Sequence, residues 1–259
     1  MARVLVTGAA DGLGRTTARL LLEQGHEVTL HARNRQRAAD AHRALPDARG
    51  VLTGDLSSIA ETRSVADQAN ESGPYDAVVH NAGVGWHKPR RVETADGLEQ
   101  HFAVNVLAPY LLTALIGRPE RLVYVSSGMH RGGEPDLDDA QWTVRPWNGA
   151  QAYSDSKLWV TVLAAQVARL WPETYSNAVD PGWVATKMGG AGASEDLALG
   201  SATQAWLAVA GDPEARVTGG YFHHRKPSES HPAVHDPDLG ARLLAYCADL
   251  SGVPFPAAG

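Results

Sequence analysis

The sequence has 259 residues, of which 44% are hydrophobic and 20% are charged, with a net charge of −6 at pH 7 and a single cysteine, Cys247. The length predicts one α/β domain over residues 1–259, the lone cysteine excludes an intramolecular disulfide, and the scattered Lys and Arg residues argue against a nucleic-acid partner. The start of the chain has no signal-peptide pattern, and its most apolar stretch is shorter than the roughly 20 residues that span a bilayer, so we expect a cytoplasmic protein without a membrane partner.

Short apolar runs alternate with amphipathic segments along the sequence. The runs predict strands at residues 3–6, 27–31, 50–52, 77–80, 121–126, 175–179 and 220–222. The amphipathic segments predict helices at residues 17–24, 36–44, 62–70, 97–116, 153–170, 194–209 and 239–248. Strands separated by helices need right-handed crossovers. The pattern therefore predicts an α/β fold: a doubly wound, mostly parallel Rossmann-like sheet with helices on both faces, forming a three-layer sandwich.

Three regions depart from this alternation, around residues 128–150, 187–199 and 223–237. Long loops in such domains often carry function, and ligands bind beyond the carboxyl ends of the strands, so we predict that these loops line a substrate pocket. Several large side chains near them suggest a partly aromatic pocket: Trp86, His87, Trp142, Trp147, Trp183 and Met188. The histidines at positions 223, 224, 231 and 235 lack a convincing ligand motif, and we predict no metal site.

A glycine-rich turn follows the first predicted strand. Gly8, Gly12 and Gly14 have the spacing Gly-x-x-x-Gly-x-Gly and precede a helical run. Such glycines allow a tight turn and a close approach of the backbone to a pyrophosphate at a helix N-terminus. An ordinary strand-to-helix turn is the alternative, but the position after the first strand favours dinucleotide binding.

The end of the second predicted strand indicates which dinucleotide is preferred. NAD sites need a carboxylate there for the ribose 2′-hydroxyl, whereas NADP sites need a cation for the 2′-phosphate. The sequence has no acid at this place and does have Arg33, with Arg15, Arg35 and Arg37 nearby. A solvated loop cation is the alternative for Arg33, and Asp11 in the glycine turn argues against NADP. The balance favours NADP(H), with NAD(H) as the alternative.

A tyrosine and a lysine one helical turn apart form the candidate catalytic pair. Tyr153 and Lys157 share a helix face, and a nearby cation helps a tyrosine to exchange protons. Ser127 follows the strand at residues 121–126 and can orient a substrate oxygen. Asn105 lies in an apolar helical run, where an amide is costly to bury without partners. Each has a structural alternative: a packed aromatic with a solvated lysine, a strand-end serine, and a satisfied core amide.

Taken together and in this order, the motifs resemble the short-chain dehydrogenase/reductase family over nearly the whole chain. The resemblance implies that Tyr153 is the general acid/base, Ser127 polarises the carbonyl, Lys157 binds the nicotinamide ribose and Asn105 holds a proton-relay water. It further implies that Asp55 and Leu56 border the adenine. The full set of implied cofactor-binding residues is Thr7, Gly8, Asp11, Gly12, Leu13, Gly14, Arg33, Asn34, Asp55, Leu56, Asn81, Ala82, Gly83, Tyr153, Lys157, Pro181, Gly182, Val184 and Thr186.

The spacing of the catalytic residues is similar to that of the retinol-dehydrogenase-like branch of the family. Ser127 and Tyr153 are 26 residues apart, and the Asp-Gly-Gly ending that is common in tetrameric relatives is absent. The resemblance therefore implies a monomer or homodimer rather than a tetramer, without implying a retinoid substrate.

We expect an oxidoreductase that transfers a hydride between NADP(H) and a small carbonyl or alcohol substrate, chiefly an NADPH-dependent ketone or aldehyde reductase. An NAD-linked alcohol dehydrogenase is one alternative, because the same residues serve both directions. A non-catalytic protein that senses NADP(H) is another, although it would have no need to retain Ser127, Tyr153 and Lys157.

Overall fold

Eight strands form one sheet in the computed structural model, which describes residues 1–190 and 192–257. They are β1 (Arg3–Val6), β2 (Glu27–Ala32), β3 (Gly50–Thr53), β4 (Ala77–His80), β5 (Arg121–Val125), β6 (Tyr175–Asp180), β7 (Tyr221–His223) and β8 (Lys226–Pro227). Their order is β3-β2-β1-β4-β5-β6-β7-β8, and every neighbouring pair is parallel except β7 with β8. The strand order reverses between β1 and β4, which opens a crevice at the carboxyl ends of the strands.

Helices cover both faces of the sheet. They are α1 (Gly12–Glu23), α2 (Arg35–Ala44), α3 (Ile59–Glu71), α4 (Gln100–Phe102), α5 (Ala108–Leu115), α6 (Gly149–Leu170), α7 (Leu197–Val209) and α8 (Pro237–Ser251). One apolar core joins α1, α2 and α7 to one face of the sheet, and a second joins α3, α5, α6 and α8 to the other. The predicted doubly wound, mostly parallel sheet with helices on both faces is confirmed.

Side-chain caps decide where three of the helices begin. Asp11 caps α1, Asn148 caps α6 and Asp196 caps α7, each accepting hydrogen bonds from backbone N–H groups of the first turn. As a result, α1 and α6 begin several residues before the apolar periodicity that predicted them, and α7 begins after it. Periodicity marks the part of a helix that is buried, whereas the cap marks its end.

The predicted helix at residues 97–116 is three consecutive segments. It begins at α4, continues as a π-helical segment at Ala103–Leu107, and ends as α5. Glu99 sets the start, because its carboxylate accepts a hydrogen bond from Phe102 N. Within the described ranges, every helix is too short or too polar to cross a membrane.

The loop predicted at residues 223–237 contains β8, which the sequence analysis missed. A two-residue turn joins β7 to β8, and its residues His224 and Arg225 have φ angles of 49° and 61°. Tight hairpins usually place Gly, Asn or Asp at such left-handed positions. A histidine and an arginine there give no sequence signal for a turn.

Candidate active site

A cavity of about 1140 Å³ lies along the carboxyl edge of the sheet. The predicted site residues that line it are Gly8, Asp11, Gly12, Leu13, Gly14, Arg33, Asp55, Leu56, Asn81, Ala82, Gly83, Ser127, Tyr153, Lys157, Pro181, Gly182, Val184 and Thr186. Three further predicted residues, Thr7, Asn34 and Asn105, lie beside the cavity wall rather than in it. Parallel strand pairing brings these segments together although they are distant in the sequence.

Gly8 and Gly14, in the turn after β1, are packed too tightly for a side chain. Gly8 has a φ of 66°, and a Cβ on it would lie 2.8 Å from the Cα of Ala82. A Cβ on Gly14 would overlap Asn81 Nδ2 and the carbonyl oxygen of Gly8. The turn therefore stays close to the segment after β4 and leaves the N-terminus of α1 open, and this fits the pyrophosphate of a dinucleotide.

Thr7 and Asn34 have structural roles instead of facing the cavity. The hydroxyl oxygen of Thr7 accepts hydrogen bonds from the backbone N–H groups of Asn81 and Ala82, at 2.9 and 3.0 Å. Asn34 caps α2 by accepting a hydrogen bond from Arg37 N at 2.9 Å. Thr7 thus fixes the turn to the next strand, and Asn34 fixes the start of the helix that carries Arg37.

Asp11 is surrounded by cations. Its carboxylate lies 2.6 Å from Lys187 Nζ and 3.4 Å from terminal nitrogens of both Arg15 and Arg37. The pKa of Asp11 falls to about 2, mainly because of the hydrogen bond from Lys187. Burial acts in the opposite direction and raises the pKa. The hydrogen bond from Gly12 N and the positive charges of Lys187 and Arg15 lower the pKa further. These cations balance the negative charge of Asp11, so the ionised carboxylate repels a nearby phosphate less. Arg33 is exposed and lines the cavity together with Arg37.

Three of the four candidate catalytic side chains, those of Ser127, Tyr153 and Lys157, line the cavity at the end of β5. Lys157 Nζ donates a hydrogen bond to the carbonyl oxygen of Val125 at 2.8 Å and lies 5.6 Å from the centre of the Tyr153 ring. Ser127 begins the short 3-10 segment Gly128–Gly132, where its hydroxyl oxygen accepts a hydrogen bond from Met129 N at 3.3 Å.

Burial changes the acid–base properties of the catalytic pair. It raises the pKa of Tyr153 to about 12, with hydrogen bonding to Ser127 opposing the rise and the negative charge of Asp180 adding to it. Burial also lowers the pKa of Lys157 to about 8, and here the charge of Asp180 opposes the change. At neutral pH the phenol is a proton donor and the lysine is a cation.

Comparisons with known proteins agree with this geometry. Residues 2–129 match the family model described as short chain dehydrogenase. The chain is 40% identical to the short-chain dehydrogenase chyC of Penicillium rubens, over 99% of this chain and 100% of that protein. The chain belongs to the short-chain dehydrogenase/reductase family. It is also 31% identical to a candidate daunorubicin C-13 ketoreductase, DnrU, of Streptomyces, over 96% of this chain and 92% of that protein.

The chain is also similar to a retinol dehydrogenase in sequence and to a solved structure in fold. The chain is 30% identical to human retinol dehydrogenase 13, over 98% of this chain and 85% of that protein. A solved structure of an uncharacterized protein from Mycobacterium paratuberculosis has a TM-score of 0.85 with 25% identity, covering 99% of this chain and 95% of its own. The family predicted from the motifs is confirmed.

In this short-chain dehydrogenase/reductase, Asn105 lies in the π-helical segment behind Lys157. Its amide donates hydrogen bonds to Val84 O at 3.2 Å and Ser156 Oγ at 2.9 Å, and its oxygen accepts one from Val84 N at 2.9 Å. The amide is satisfied by protein atoms, as the structural alternative expected. A relay water held by Asn105 stays a prediction.

His31 supports the cofactor side of the cavity and was missed by the sequence analysis. Gly8 N donates a hydrogen bond to His31 Nδ1 at 3.1 Å, and His31 Nε2 lies 2.9 Å from Gly54 O. Burial lowers the pKa of His31, which keeps the imidazole neutral with its proton on Nε2. The only available signal was a polar residue within the apolar strand β2.

Glu99 and His101 support the opposite side and were also missed. The buried His101 imidazole lies 2.8 Å from Glu99 Oε1 and 3.0 Å from Gly85 O. These contacts connect the start of α4 to the loop that follows β4. Trp86, in that loop, lines the cavity. Among the other large residues suggested for the pocket, Trp183 and Met188 line it, whereas His87, Trp142 and Trp147 do not.

The β7–β8 hairpin brings two histidines next to Glu195. Ligand atoms of Glu195, His223 and His224 lie within 4.8 Å of one another. However, His224 Nε2 is 2.8 Å from Glu195 Oε2, and His223 Nδ1 is 3.2 Å from Asp180 O. These contacts form a hydrogen-bonded cluster at the edge of the cavity, and Glu195 and His223 line the cavity itself.

Replacing Gly14 with alanine should impair cofactor binding. The added Cβ would collide with Asn81 and with Gly8 O, so the turn must shift, and overpacking of this kind costs about 1–3 kcal/mol. We expect the affinity for NAD(P)H to fall roughly tenfold in a fluorescence titration. Gly117→Ala is the control, because a Cβ at Gly117 meets no described atom within 4 Å. Equal affinity for NAD(P)H in the two variants would show that cofactor binding does not require the close packing of the turn.

Proposed function

We propose that this family member is an NADPH-dependent reductase of ketones or aldehydes in which Tyr153 is the general acid. The observation that carries the proposal is a buried Tyr153 that lines one cavity with Ser127, Lys157 and the glycine turn. A surface phenol, or one in another cavity, would not support it.

In this proposal, some residues of the cavity bind the cofactor and others act on the substrate. The turn from Gly8 to Gly14 would hold the pyrophosphate, and Lys157 would bind the nicotinamide ribose. A bound NADPH supplies the hydride to the carbonyl carbon. Ser127 donates a hydrogen bond to the carbonyl oxygen, and Tyr153 gives its phenolic proton to that oxygen, which becomes the alcohol. The Lys157 ammonium, fixed by Val125 O, stabilises the phenolate that remains.

The acid–base state of Tyr153 favours the reductive direction. Reduction needs a phenol that can donate a proton, and the raised pKa keeps Tyr153 protonated at neutral pH. Alcohol oxidation needs the phenolate, which burial disfavours. The name of the Streptomyces relative, a candidate ketoreductase, points the same way.

Tyr153→Phe should remove turnover while sparing cofactor binding. The change deletes the proton donor and keeps the ring, and general acid catalysis is worth about 10²- to 10⁴-fold in rate. We expect kcat for NADPH oxidation with a panel of aldehydes and ketones to fall by at least about 10²-fold. Tyr175→Phe, a tyrosine outside the cavity, is the control. Retained turnover in the Tyr153 variant would reject the assigned acid.

NADP(H) is the preferred cofactor in this proposal, and NAD(H) is the alternative. Arg33 and Arg37 line the cavity at the end of β2, and the acid beside them is neutralised by Lys187 and Arg15. A planar guanidinium suits a phosphate because it can donate two parallel hydrogen bonds.

Arg33→Ala should weaken NADPH more than NADH. Loss of a charge-assisted hydrogen bond at an exposed site should raise the Kd for NADPH about tenfold and leave that for NADH nearly unchanged. Both constants can be measured by fluorescence titration. Arg35→Ala is the matched control, since Arg35 is exposed and lies outside the cavity. Equal losses for the two cofactors would exclude Arg33 as the 2′-phosphate ligand.

The reduction rate should fall on the alkaline side. Lys157 must be charged to bind the ribose and to stabilise the phenolate, and its pKa is lowered to about 8. The charged form is present below this pH and is lost as the pH rises through it, so kcat/KM should decline roughly tenfold per unit at higher pH. Lys157→Arg, which keeps its charge, should flatten the profile at a lower overall rate. A wild-type profile that is level from pH 7 to pH 10 would contradict this role.

We also propose a cytoplasmic monomer or homodimer. The described C-terminal residues fold back on their own chain: Tyr110 Oη donates a hydrogen bond to Val253 O at 2.7 Å, and the Phe255 ring packs 5.0 Å from that of Trp171. This packing covers apolar surface of α5 and the end of α6 that a larger assembly could otherwise use.

A further inference from the structure

Asp180, the last residue of β6, places a carboxylate in the wall of the active-site cavity. Its side chain is only 12% exposed, and the residue lines the cavity next to Ser127 and Tyr153. The first carboxylate oxygen, Oδ1, accepts a hydrogen bond from Gly182 N at 2.9 Å. This bond fixes the orientation of the carboxylate at the end of the strand.

The second oxygen, Oδ2, accepts no hydrogen bond from the described part of the chain. The basic nitrogen that approaches it is His223 Nδ1 at 3.7 Å, which is too long for a hydrogen bond, and this nitrogen lies nearer the backbone oxygen of Asp180, at 3.2 Å. A Cβ on Gly128 would lie 3.0 Å from Oδ2, so the oxygen sits against the backbone that follows Ser127.

The charge of Asp180 acts on the reacting groups. Its negative charge raises the pKa values of Tyr153 and Lys157, and it also faces His130 and Tyr221. A ligand that neutralises this carboxylate would therefore alter the proton donor as well as add a contact. The rest of the substrate wall includes the apolar side chains of Trp86, Met129 and Met188, which suit a hydrocarbon body.

We propose that Asp180 forms a subsite for an N–H donor of the substrate, an amine or amide nitrogen close to the reacting carbonyl. A carboxylate oxygen can only accept hydrogen bonds, and Oδ2 has no donor among the described residues, so a ligand that supplies a donor gains affinity from a charge-assisted hydrogen bond. The inference rests on the proposed carbonyl reduction and specifies its substrate class: amino or amido ketones and aldehydes.

Glu195 provides an internal contrast. It is a second carboxylate on the same cavity, but His224 Nε2 lies 2.8 Å from its Oε2. Glu195 Oε1, like Asp180 Oδ2, accepts no hydrogen bond from the described residues, but the Glu195 side chain is 20% exposed against 12% for Asp180, so water reaches it more easily. In addition, it is the charge of Asp180 that shifts the pKa values of Tyr153 and Lys157. The subsite is thus assigned to Asp180 alone.

The test compares three ketones that differ only at the α-substituent: amino, acetamido and methoxy. Wild-type enzyme with NADPH should favour the amino ketone over the methoxy ketone by about tenfold or more in kcat/KM, because a charge-assisted bond is stronger than a neutral one. The acetamido ketone should fall between them. A preference for the amino ketone alone would assign the subsite to ammonium groups, whereas a preference shared by both nitrogen compounds would assign it to N–H donors in general.

Asp180→Asn is the decisive variant. Asparagine can keep the oxygen that serves Gly182 N and places an NH₂ group where Oδ2 was. The amino-over-methoxy preference should vanish or reverse in this variant, while Glu195→Gln should retain it. An unchanged preference in Asp180→Asn, or no preference in the wild type, would overturn the subsite.

Binding separates a failed subsite from a failed function. In the Tyr153→Phe protein loaded with NADPH, the Kd values of the amino and methoxy ketones can be measured by calorimetry without turnover. Tighter binding of the amino ketone than of the methoxy ketone, lost when Asp180→Asn is added, would support the subsite. This conclusion would hold even if the wild type reduced none of the ketones. A wild type that reduces none of them would count against carbonyl reduction. Equal Kd values for the amino and methoxy ketones, together with turnover by the wild type, would reject the subsite but support the proposed carbonyl reduction.

Discussion

The parallel pairing of β1, β4, β5 and β6 is the constraint on which the site depends. All four strands run in the same direction, so the segments that follow them meet at one edge of the sheet. The glycine turn follows β1, Asn81 follows β4, Ser127 follows β5 and Asp180 ends β6. The Thr7 hydroxyl ties the first two of these together. Without this edge, the phosphate cradle and the acid–base residues would not share a cavity.

Burial then gives the edge its chemistry. Tyr153 and Lys157 both lie in the packed interior of α6, where removal from water raises the pKa of the phenol and lowers that of the amine. The Asp180 charge acts on both groups in the same direction because it disfavours a phenolate and favours an ammonium. The site is thus balanced toward a proton donor beside a cation, and this is the state that carbonyl reduction requires.

The segment between β6 and α7 connects the two ends of the cavity. Lys187 reaches the glycine turn and binds Asp11, while Glu195 contacts His224 on the β7–β8 hairpin. Val184 and Thr186 lie between these contacts and line the cavity. One segment therefore contacts both the phosphate side and the substrate side, so a change in its position would affect both ligands together.

The alternation of helices with strands β1 to β7, the glycine turn, and the tyrosine, lysine and serine that line the cavity could all be predicted from the sequence. These features are local: periodicity, glycine spacing and a four-residue helical separation are all read along the chain. The sequence could not identify His31 or the Glu99–His101 bridge, because their partners Gly8, Gly54 and Gly85 are set by strand pairing and loop packing. The β7–β8 hairpin was also hidden, since its turn lacks the usual residues.

Which polar groups have no hydrogen-bond partner in the protein, and can therefore bind a ligand, depends on tertiary packing. Asn34 and Asn105 looked like site residues in the sequence, yet their amides are used by backbone and side-chain atoms of the protein. Asp180 carried no signal beyond its place before Pro181, yet it keeps an oxygen available inside the cavity. The physical reason is that hydrogen-bond satisfaction depends on neighbours in space, whereas the sequence specifies neighbours along the chain.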